Sequence, residues 1–177
     1  MSDPLTLSAD VLGWARTAHY VTTIAEDGIV QLRSEAGAPA RYYIRRRGAA
    51  RWELTHAADG DDEQPVLFVA DITVLERYLV GLFADDIRED LDLPFLDLSW
   101  ATEDLAPGYE LSNMVRGYRT LTRSGSGPVA AAPDPTVSLV TLVSLSHMLG
   151  WSVGELKRSF LHAAGAPLLR DGRYTSR

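Results

Sequence analysis

Carboxylate pairs are the residues of this chain whose spacing comes nearest to a catalytic arrangement. They occur at Asp85-Asp86 and again among Glu89, Asp90 and Asp92. General acid–base chemistry needs two carboxyl groups at a fixed separation, one of them with a pKa raised by burial. Both sets fall at the charged end of a helical pattern, where solvent keeps carboxylates ionised. The spacing therefore predicts an acidic rim, which is either an ordinary solvated surface or an electrostatic contact for a basic protein.

Histidine and hydroxyl side chains do not form a recognisable metal site or nucleophile. The four histidines are far apart, without an HxH or HxxxH pair, and the chain has no cysteine. Ser144, Ser146 and His147 are neighbours in sequence, but on a helix they point in different directions. There is no GxSxG elbow to expose a nucleophile. We therefore predict no catalytic residue, no metal and no cofactor.

Two loops have features of ligand-binding motifs without meeting their requirements. The aspartates of loop 58–64 are Asp59, Asp61 and Asp62. An EF-hand would need glutamate at the twelfth position counted from Asp59, and that residue is Ala70. The Ser-Gly-Ser-Gly-Pro run at 124–128 lacks the GK[ST] of a phosphate loop. We interpret loop 58–64 as an acidic surface loop and residues 124–128 as a flexible connection.

Tyrosine and arginine clusters point instead to a protein-binding surface, because both residue types are enriched at interface hot spots. One cluster is Tyr43, Arg45 and Arg47, and the other is Arg116, Tyr118 and Arg119. The aspartates of loop 58–64 add an acidic element beside the first cluster. We predict that a partner contacts these three groups. The alternative is an ordinary surface on which the arginines pair with nearby carboxylates.

The N-terminal segment predicts a helix followed by a β-hairpin. Ser8 is placed to cap a short helix with the apolar residues Val11, Trp14, Ala15 and Ala18. Segments 20–26 and 29–34 then flank Asp27-Gly28, a dipeptide that accepts the positive φ angles of a type I′ turn. A two-residue turn places one set of side chains on a common face: Val21, Thr23, Ala25, Val30 and Leu32.

A second hairpin is predicted by the alternation in segments 41–47 and 51–55 around residues 48–50. Its inward residues are Tyr42, Ile44, Trp52 and Leu54, and its outward residues are Tyr43, Arg45, Arg47, Arg51 and Glu53. The apolar run 66–70 has no alternation, which is typical of a central strand. Asp71 then caps a helix whose apolar residues are Ile72, Leu75, Leu79, Leu82 and Phe83.

The last third of the chain predicts two helices. Asp134-Pro135 supplies an N-cap and a first-turn proline for a helix that ends at Gly150. Apolar and small residues occupy all sides of this helix, so we expect it to be the buried central one. Ser152 and Glu155 have the spacing of a capping box for the final helix.

The order of elements indicates the fold class. Residues 109–113 and 118–123 predict further strands, so strands come first and helices come last. We predict an α+β fold with antiparallel β-hairpins in the N-terminal half, packed with helices, and a C-terminal helical pair. Residues 1–177 are expected to form a single domain.

A DNA-binding regulator is the alternative suggested by residues 145–165, which have the helix, glycine turn and helix of a helix-turn-helix. Lys157 and Arg158 on the second helix would suit phosphate contacts. The first turn of that helix is apolar, however, and cannot read the polar edges of bases. We therefore expect no nucleic-acid partner.

Composition and charge fit a cytoplasmic protein with a basic partner. The 177 residues are 46% hydrophobic and carry a net charge of −7. Residues 135–177 contain five basic and two acidic residues, which leaves −10 for the remainder. An acidic body disfavours nucleic acid and suits a basic partner. The sequence has no apolar run long enough to span a bilayer and no signal-peptide pattern at its start, so we expect a cytoplasmic protein that does not bind membranes.

Four segments together resemble a family of actinobacterial immunity proteins. They are SADVLGWARTAHY, VLFVADITVLERYLVGLFADDIREDLDLPFL, YELSNMVRGYRTL and PDPTVSLVTLVSLSHMLGWS. The family includes the antitoxin of the tuberculosis necrotizing toxin, an NAD-cleaving enzyme. The resemblance covers nearly the whole chain.

This resemblance implies a non-enzymatic antitoxin that binds a cognate NAD glycohydrolase toxin, one-to-one, and occludes its active site. The acidic loop would then occupy a site built for NAD phosphates, or Arg45 and Arg47 would pair with catalytic carboxylates. A cytosolic secretion chaperone is the other alternative, because it too would be small and acidic.

Overall fold

The computed structural model describes residues 6–37 and 39–177, and it confirms the predicted α+β fold. The first half contains α1 (Ala9–Thr17), β1 (Tyr20–Ile24), β2 (Val30–Ser34), β3 (Ala40–Arg47), β4 (Arg51–Ala58), β5 (Gln64–Val69) and α2 (Ile72–Asp90). A short 3-10 helix (Thr102–Asp104) leads to β6 (Tyr109–Leu111), β7 (Tyr118–Arg123) and β8 (Gly127–Pro133). The chain ends with α3 (Val137–Met148), α4 (Val153–Leu161), β9 (Leu169–Arg170) and β10 (Arg173–Tyr174).

Eight of these strands form one antiparallel sheet in the order β1-β2-β3-β4-β5-β8-β7-β6. The first five strands are neighbours both in sequence and in the sheet, as in a meander. Strand β8 pairs with β5 and joins the second group of strands to the first. The two-residue strands β9 and β10 form a separate small hairpin.

One face of the sheet packs against the helices. Its fully buried side chains include Leu32, Ile44, Leu54, Leu67 and Leu121, and they meet Leu75, Leu79 and Phe83 of α2. The opposite face carries polar, charged and aromatic side chains. We call it the open face and define it by Tyr43, Arg45, Arg47, Glu53, Thr55, Phe68, Tyr118 and Thr120, which the strand registers place on that side.

The helix starts follow the predicted caps. Ser8 Oγ accepts the N–H of Val11 at 3.4 Å, and Asp71 accepts the N–H of Thr73 at 2.7 Å. Ser152 and Glu155 form the predicted capping box of α4. These contacts satisfy backbone donors that have no partner inside the first turn of a helix.

The predicted face of the first hairpin is wrong by one residue. Tyr20 pairs with Ser34, and Gly28, at φ 81°, donates its N–H to Ala25 O. The loop therefore has three residues, 26–28, with glycine in the left-handed position. A shift of one residue turns every side chain of a strand to the other face. The outward side chains of β1 are thus Val21 and Thr23, which we had predicted to share a face with Val30 and Leu32.

Two further predictions need correction. Strand β8 begins inside the segment that we interpreted as a flexible connection, and Ser124–Ser126 is instead a tight hairpin turn. Helix α3 begins after Asp134, which accepts the N–H groups of Thr136 and Val137, but it is not buried on all sides. Val137 and Val140 are about half exposed, so only one side of α3 packs on the sheet.

Candidate functional site

Arg45 is the centre of a hydrogen-bonded group on the open face of β3 and β4. Its guanidinium donates two bonds to the Glu63 carboxylate, at 2.5 and 2.7 Å, and one to Thr55 Oγ1 at 3.0 Å. Thr55 also donates to Glu63 at 2.6 Å. The hydrogen bond from Arg45 lowers the pKa of Glu63, and Glu63 in turn raises the pKa of Arg45. Both side chains therefore stay charged at neutral pH.

Arg47 pairs with Glu53 in the same row of side chains. The distance from Arg47 Nε to Glu53 Oε2 is 2.5 Å, and Arg45 lies over the Tyr43 ring at 5.1 Å from its centroid. Glu53 is only 7% exposed, although we predicted that it faces solvent. It does lie on the outward face, but its neighbours on β3 cover it. From the sequence we had left open the alternative that the arginines pair with nearby carboxylates. Arg45 and Arg47 both do so.

The acidic turn between β4 and β5 lies at the end of the sheet opposite the turn at residues 48–50. Asp59, Asp61 and Asp62 are exposed there. Asp59 is 3.9 Å from Arg41 Nη2, and the N–H of Asp61 donates to Ala58 O. The turn therefore has a backbone hydrogen bond across it and exposed carboxylates, and it directly precedes Glu63 in the chain.

The second predicted cluster is divided by the structure. Tyr118 lies on the open face, where its ring meets Phe68 edge-to-face at 5.5 Å. Arg116 is exposed in the turn before β7, with a positive φ of 51°. Arg119 lies on the other face and donates to Ser138 Oγ, Ser112 O and Pro135 O. Alternation along a strand separates Arg119 from Tyr118, so Arg119 holds α3 against the sheet instead of joining the open face.

The carboxylates at the end of α2 lie beside the first strand. Asp90 Oδ2 is 2.6 Å from His19 Nε2. Asp86, Glu89 and Asp90 line a cleft of about 350 Å³ together with Ala18, His19, Tyr20, Ser34, Ala36 and Gly37. Burial and the neighbouring carboxylates raise the pKa of Asp86. The acidic rim predicted from the sequence is thus an outer wall of a cleft next to β1.

Two serine hydroxyl groups of α3 donate to backbone carbonyls of the same helix. Ser144 donates to Val140 O at 2.8 Å, and Ser146 donates to Val143 O at 2.6 Å, as we had expected. His147 stacks on Tyr174 and lies 2.5 Å from Asp104 O, and burial lowers its pKa. Among residues 6–37 and 39–177, no group of three histidine or acidic side chains is arranged to hold a metal ion.

The helix pair α3 and α4 is bent by 112°, an angle that a helix-turn-helix also has. Leu156 and Phe160 of α4 are buried against the core. Lys157 lies 3.5 Å from Asp10 and near the Trp14 ring of α1, so it is already paired within the chain.

Within the described part of the chain, no single helix is long and apolar enough to cross a membrane. The bent pair α3 and α4 reaches the required length and apolar composition only when its two helices are counted together.

The sequence matches one family model over most of its length. The model describes Immunity protein 61, and the match covers residues 14–168. The chain belongs to this immunity protein family. The resemblance inferred from the four sequence segments is thereby confirmed, and the chain is an immunity protein.

Relatives of this immunity protein agree with that assignment. It is 32% identical over 170 residues to the protein named immunity factor for TNT in Mycobacterium tuberculosis, covering 92% of both chains. The homologue in Mycobacterium bovis gives the same values. The solved structure of Rv3902c from M. tuberculosis superposes with a TM-score of 0.82 and 29% identity, covering 95% of this chain and 96% of that one.

Arg88 is the residue of this immunity protein whose importance the sequence did not reveal. It is 2% exposed, and its guanidinium donates to the backbone carbonyls of Pro94, Phe160, His162 and Ala163. These bonds fix the end of α4 and the segment after α2. Burial lowers the pKa of Arg88. A lone arginine in a row of carboxylates gave no signal of this role.

Proposed function

We propose that this immunity protein is a non-enzymatic, cytoplasmic antitoxin for an NAD glycohydrolase of the tuberculosis necrotizing toxin class. The observation that carries the proposal is the relationship to the immunity factor for TNT over 92% of both chains. The family match at residues 14–168 includes every strand that builds the open face. Residues 1–177 would act as one immunity domain.

Protection by binding sets the affinity that this protein needs. One active toxin molecule in a bacterial cell corresponds to about nanomolar concentration, so complete protection requires roughly −12 kcal/mol. An interface of roughly 800 Å² on each partner, with a few well-packed anchors, provides such affinity. The protein would bind one toxin molecule and cover the NAD site, without altering the toxin chemically.

The proposed contact surface is the open face of β3 with the acidic turn beside it. Tyr43 supplies an aromatic anchor that Arg45 already holds in place, so little side-chain entropy is lost on binding. Asp59, Asp61 and Asp62 present carboxylates without disturbing the fold. Such a surface fits a basic toxin whose substrate carries phosphates. Arg116 and Tyr118 extend the proposed surface towards β7.

The arginines of the open face would act mainly by shaping this surface. Arg45 is bonded to Glu63, and Arg47 is bonded to Glu53. If either arginine paired with a catalytic carboxylate of the toxin, it would have to leave an existing partner. We therefore favour the acidic turn over Arg45 and Arg47 as the element that enters the toxin cleft.

Competition with a substrate analogue tests this proposal. A non-cleavable NAD analogue, added to the purified toxin at 100 times its dissociation constant, should weaken the apparent affinity for this protein by about 100-fold. The stoichiometry measured by calorimetry should be one. Binding that is unaffected by the analogue would contradict occlusion. A protein that binds only unfolded toxin would be acting as a secretion chaperone instead.

A further inference from the structure

Strand β1 forms one edge of the eight-stranded sheet. Its hydrogen-bond pattern follows from two contacts beside the strand: the N–H of Glu35 donates to His19 O at 2.8 Å, and the N–H of Ala25 donates to Ile29 O at 2.9 Å. In an antiparallel pair, alternate residues direct both backbone groups to the neighbour. Tyr20, Thr22 and Ile24 consequently direct their N–H and C=O groups away from β2.

Within strand β1 itself, this edge lacks two features that normally prevent strand addition. Residues Tyr20–Ile24 contain no charged side chain and no proline, and Ile24 is 62% exposed. The other edge of the sheet, β6, has only three residues, and Glu110 is exposed at its centre. Short edges and charged edge residues discourage pairing with another chain. Of the two edges, β1 is therefore the one suited to accept a strand.

Carboxylates flank the free edge at both ends. Asp86, Glu89 and Asp90 line the cleft beside Tyr20, and Glu26 and Asp27 are exposed in the turn that follows Ile24. An added segment would therefore have an uncharged centre and basic residues at its ends. A second copy of this chain fits less well, since antiparallel pairing would bring the acidic cleft of one copy against the acidic turn of the other.

We propose that β1 binds an extended segment of the toxin, flanked by lysine or arginine, as a ninth strand of the sheet. This inference rests on the proposed function and specifies its partner. Continuity with the proposed contact surface supports it: Thr23 pairs with Gln31, and Gln31 pairs with Tyr43. One partner can therefore cover the open face of β3 and pair with β1. Main-chain bonds would supply affinity, and the flanking carboxylates would supply selectivity.

Residue-resolved amide exchange of the wild-type protein, free and in its one-to-one complex with the purified toxin, tests the proposal. The amides of Tyr20, Thr22 and Ile24 should exchange more slowly by about tenfold or more in the complex. Those of Val21 and Thr23 are already bonded to β2 and should change little. This two-residue alternation distinguishes strand pairing from general coverage of the surface.

The possible outcomes separate the inference from the proposed function. A complex that forms and inhibits the toxin, while the Thr22 amide exchanges as in the free protein, overturns the inference and leaves the proposed function standing. Failure of the toxin to bind at all refutes both. Slow exchange of the Thr22 amide without toxin, together with a dimer in sedimentation, would show that a second copy of this chain pairs with β1. That result would overturn the inference.

Two pairs of variants give an independent readout. Thr22→Pro removes an outward N–H and blocks the approach of a strand, and it should weaken toxin binding by about tenfold or more, whereas Thr22→Val should bind within about twofold of wild type. Glu89→Lys beside the cleft should weaken binding, and Glu110→Lys on the opposite edge should not. Equal affinities within both pairs would contradict the proposal. Circular dichroism checks that Thr22→Pro is folded, and the exchange measurement needs no variant.

Discussion

Replacing Arg88 by methionine is expected to lower the free energy of unfolding by about 3–5 kcal/mol. Methionine approximates the length of the arginine stem, so the change removes hydrogen bonds with little loss of packing. It leaves the carbonyls of Phe160 and Ala163 without the donor that the structure gives them. The carbonyl of His162 keeps a bond from the N–H of Gly165. The bond to Phe160 is buried, and a buried acceptor without a partner retains the full cost of leaving water. Urea unfolding of the two proteins measures the difference.

Arg158→Met is the matched control, because Arg158 is exposed on α4 and the residue exchange is identical. It should change the stability by less than about 0.5 kcal/mol. The loss of stability caused by Arg88→Lys should lie between the losses caused by Arg88→Met and Arg158→Met, because one ammonium group cannot reach all the carbonyls that a guanidinium bridges. A loss below about 1 kcal/mol for Arg88→Met would show that α4 is held by its apolar side alone.

Truncation of Tyr43 to alanine is expected to weaken toxin binding by about 100-fold, which corresponds to nearly 3 kcal/mol. Tyr43 lies on the open face beside Arg45, and its loss would remove the aromatic anchor of the proposed surface. Asp61→Lys in the acidic turn should weaken binding by about tenfold and make the residual affinity less dependent on salt. Surface plasmon resonance at two ionic strengths measures both effects.

Trp100→Ala provides the control for this aromatic truncation. Trp100 is 48% exposed, and the carbonyl of the preceding Ser99 accepts a bond from Tyr174, whose ring stacks on His147 of α3 on the helical side of the sheet. The Trp100→Ala variant should bind the toxin with an affinity within about twofold of that of the wild type. If Trp100→Ala abolishes binding while Tyr43→Ala does not, the partner contacts the helical layer and the open-face assignment is wrong.

The sequence predicted those elements whose local signals agree with the fold. The second hairpin has strict alternation and a short turn, so the inward residues Ile44 and Leu54 are found directly opposite each other. Helix α2 has a capping aspartate and regular apolar spacing, and its predicted buried residues Leu75, Leu79 and Phe83 lie in the core. In these segments propensity, periodicity and capping all indicate the same structure.

Where the prediction failed, the local signal was ambiguous or absent. Asp-Gly fits a two-residue turn, but the first hairpin uses it within a three-residue loop, and that single residue reverses the faces of β1. Strand β8 reads GPVAAAP, whose glycine, alanines and prolines have low β-propensity. Pairing with β5 and β7 on both sides stabilises it, and sequence periodicity does not reveal that pairing.

For the site residues of β3, the sequence predicted the face of the sheet on which they lie, but not the partners that they contact there. Tyr43, Arg45 and Arg47 share the open face as expected, because alternation fixes their side of the strand. Their partners Glu53 and Glu63 become visible only when β4 and β5 are aligned. The wall of carboxylates beside β1 likewise depends on α2 crossing near the start of that strand, which brings together residues about 70 positions apart in sequence.

The most direct test of the account is NAD consumption by a purified necrotizing-type toxin, titrated with this protein at toxin concentrations well above the expected dissociation constant. We predict that turnover falls linearly and stops at one equivalent, as tight occlusion of the active site requires. Turnover that continues undiminished at a large excess of this protein would contradict the central claim that it is the antitoxin of this toxin class.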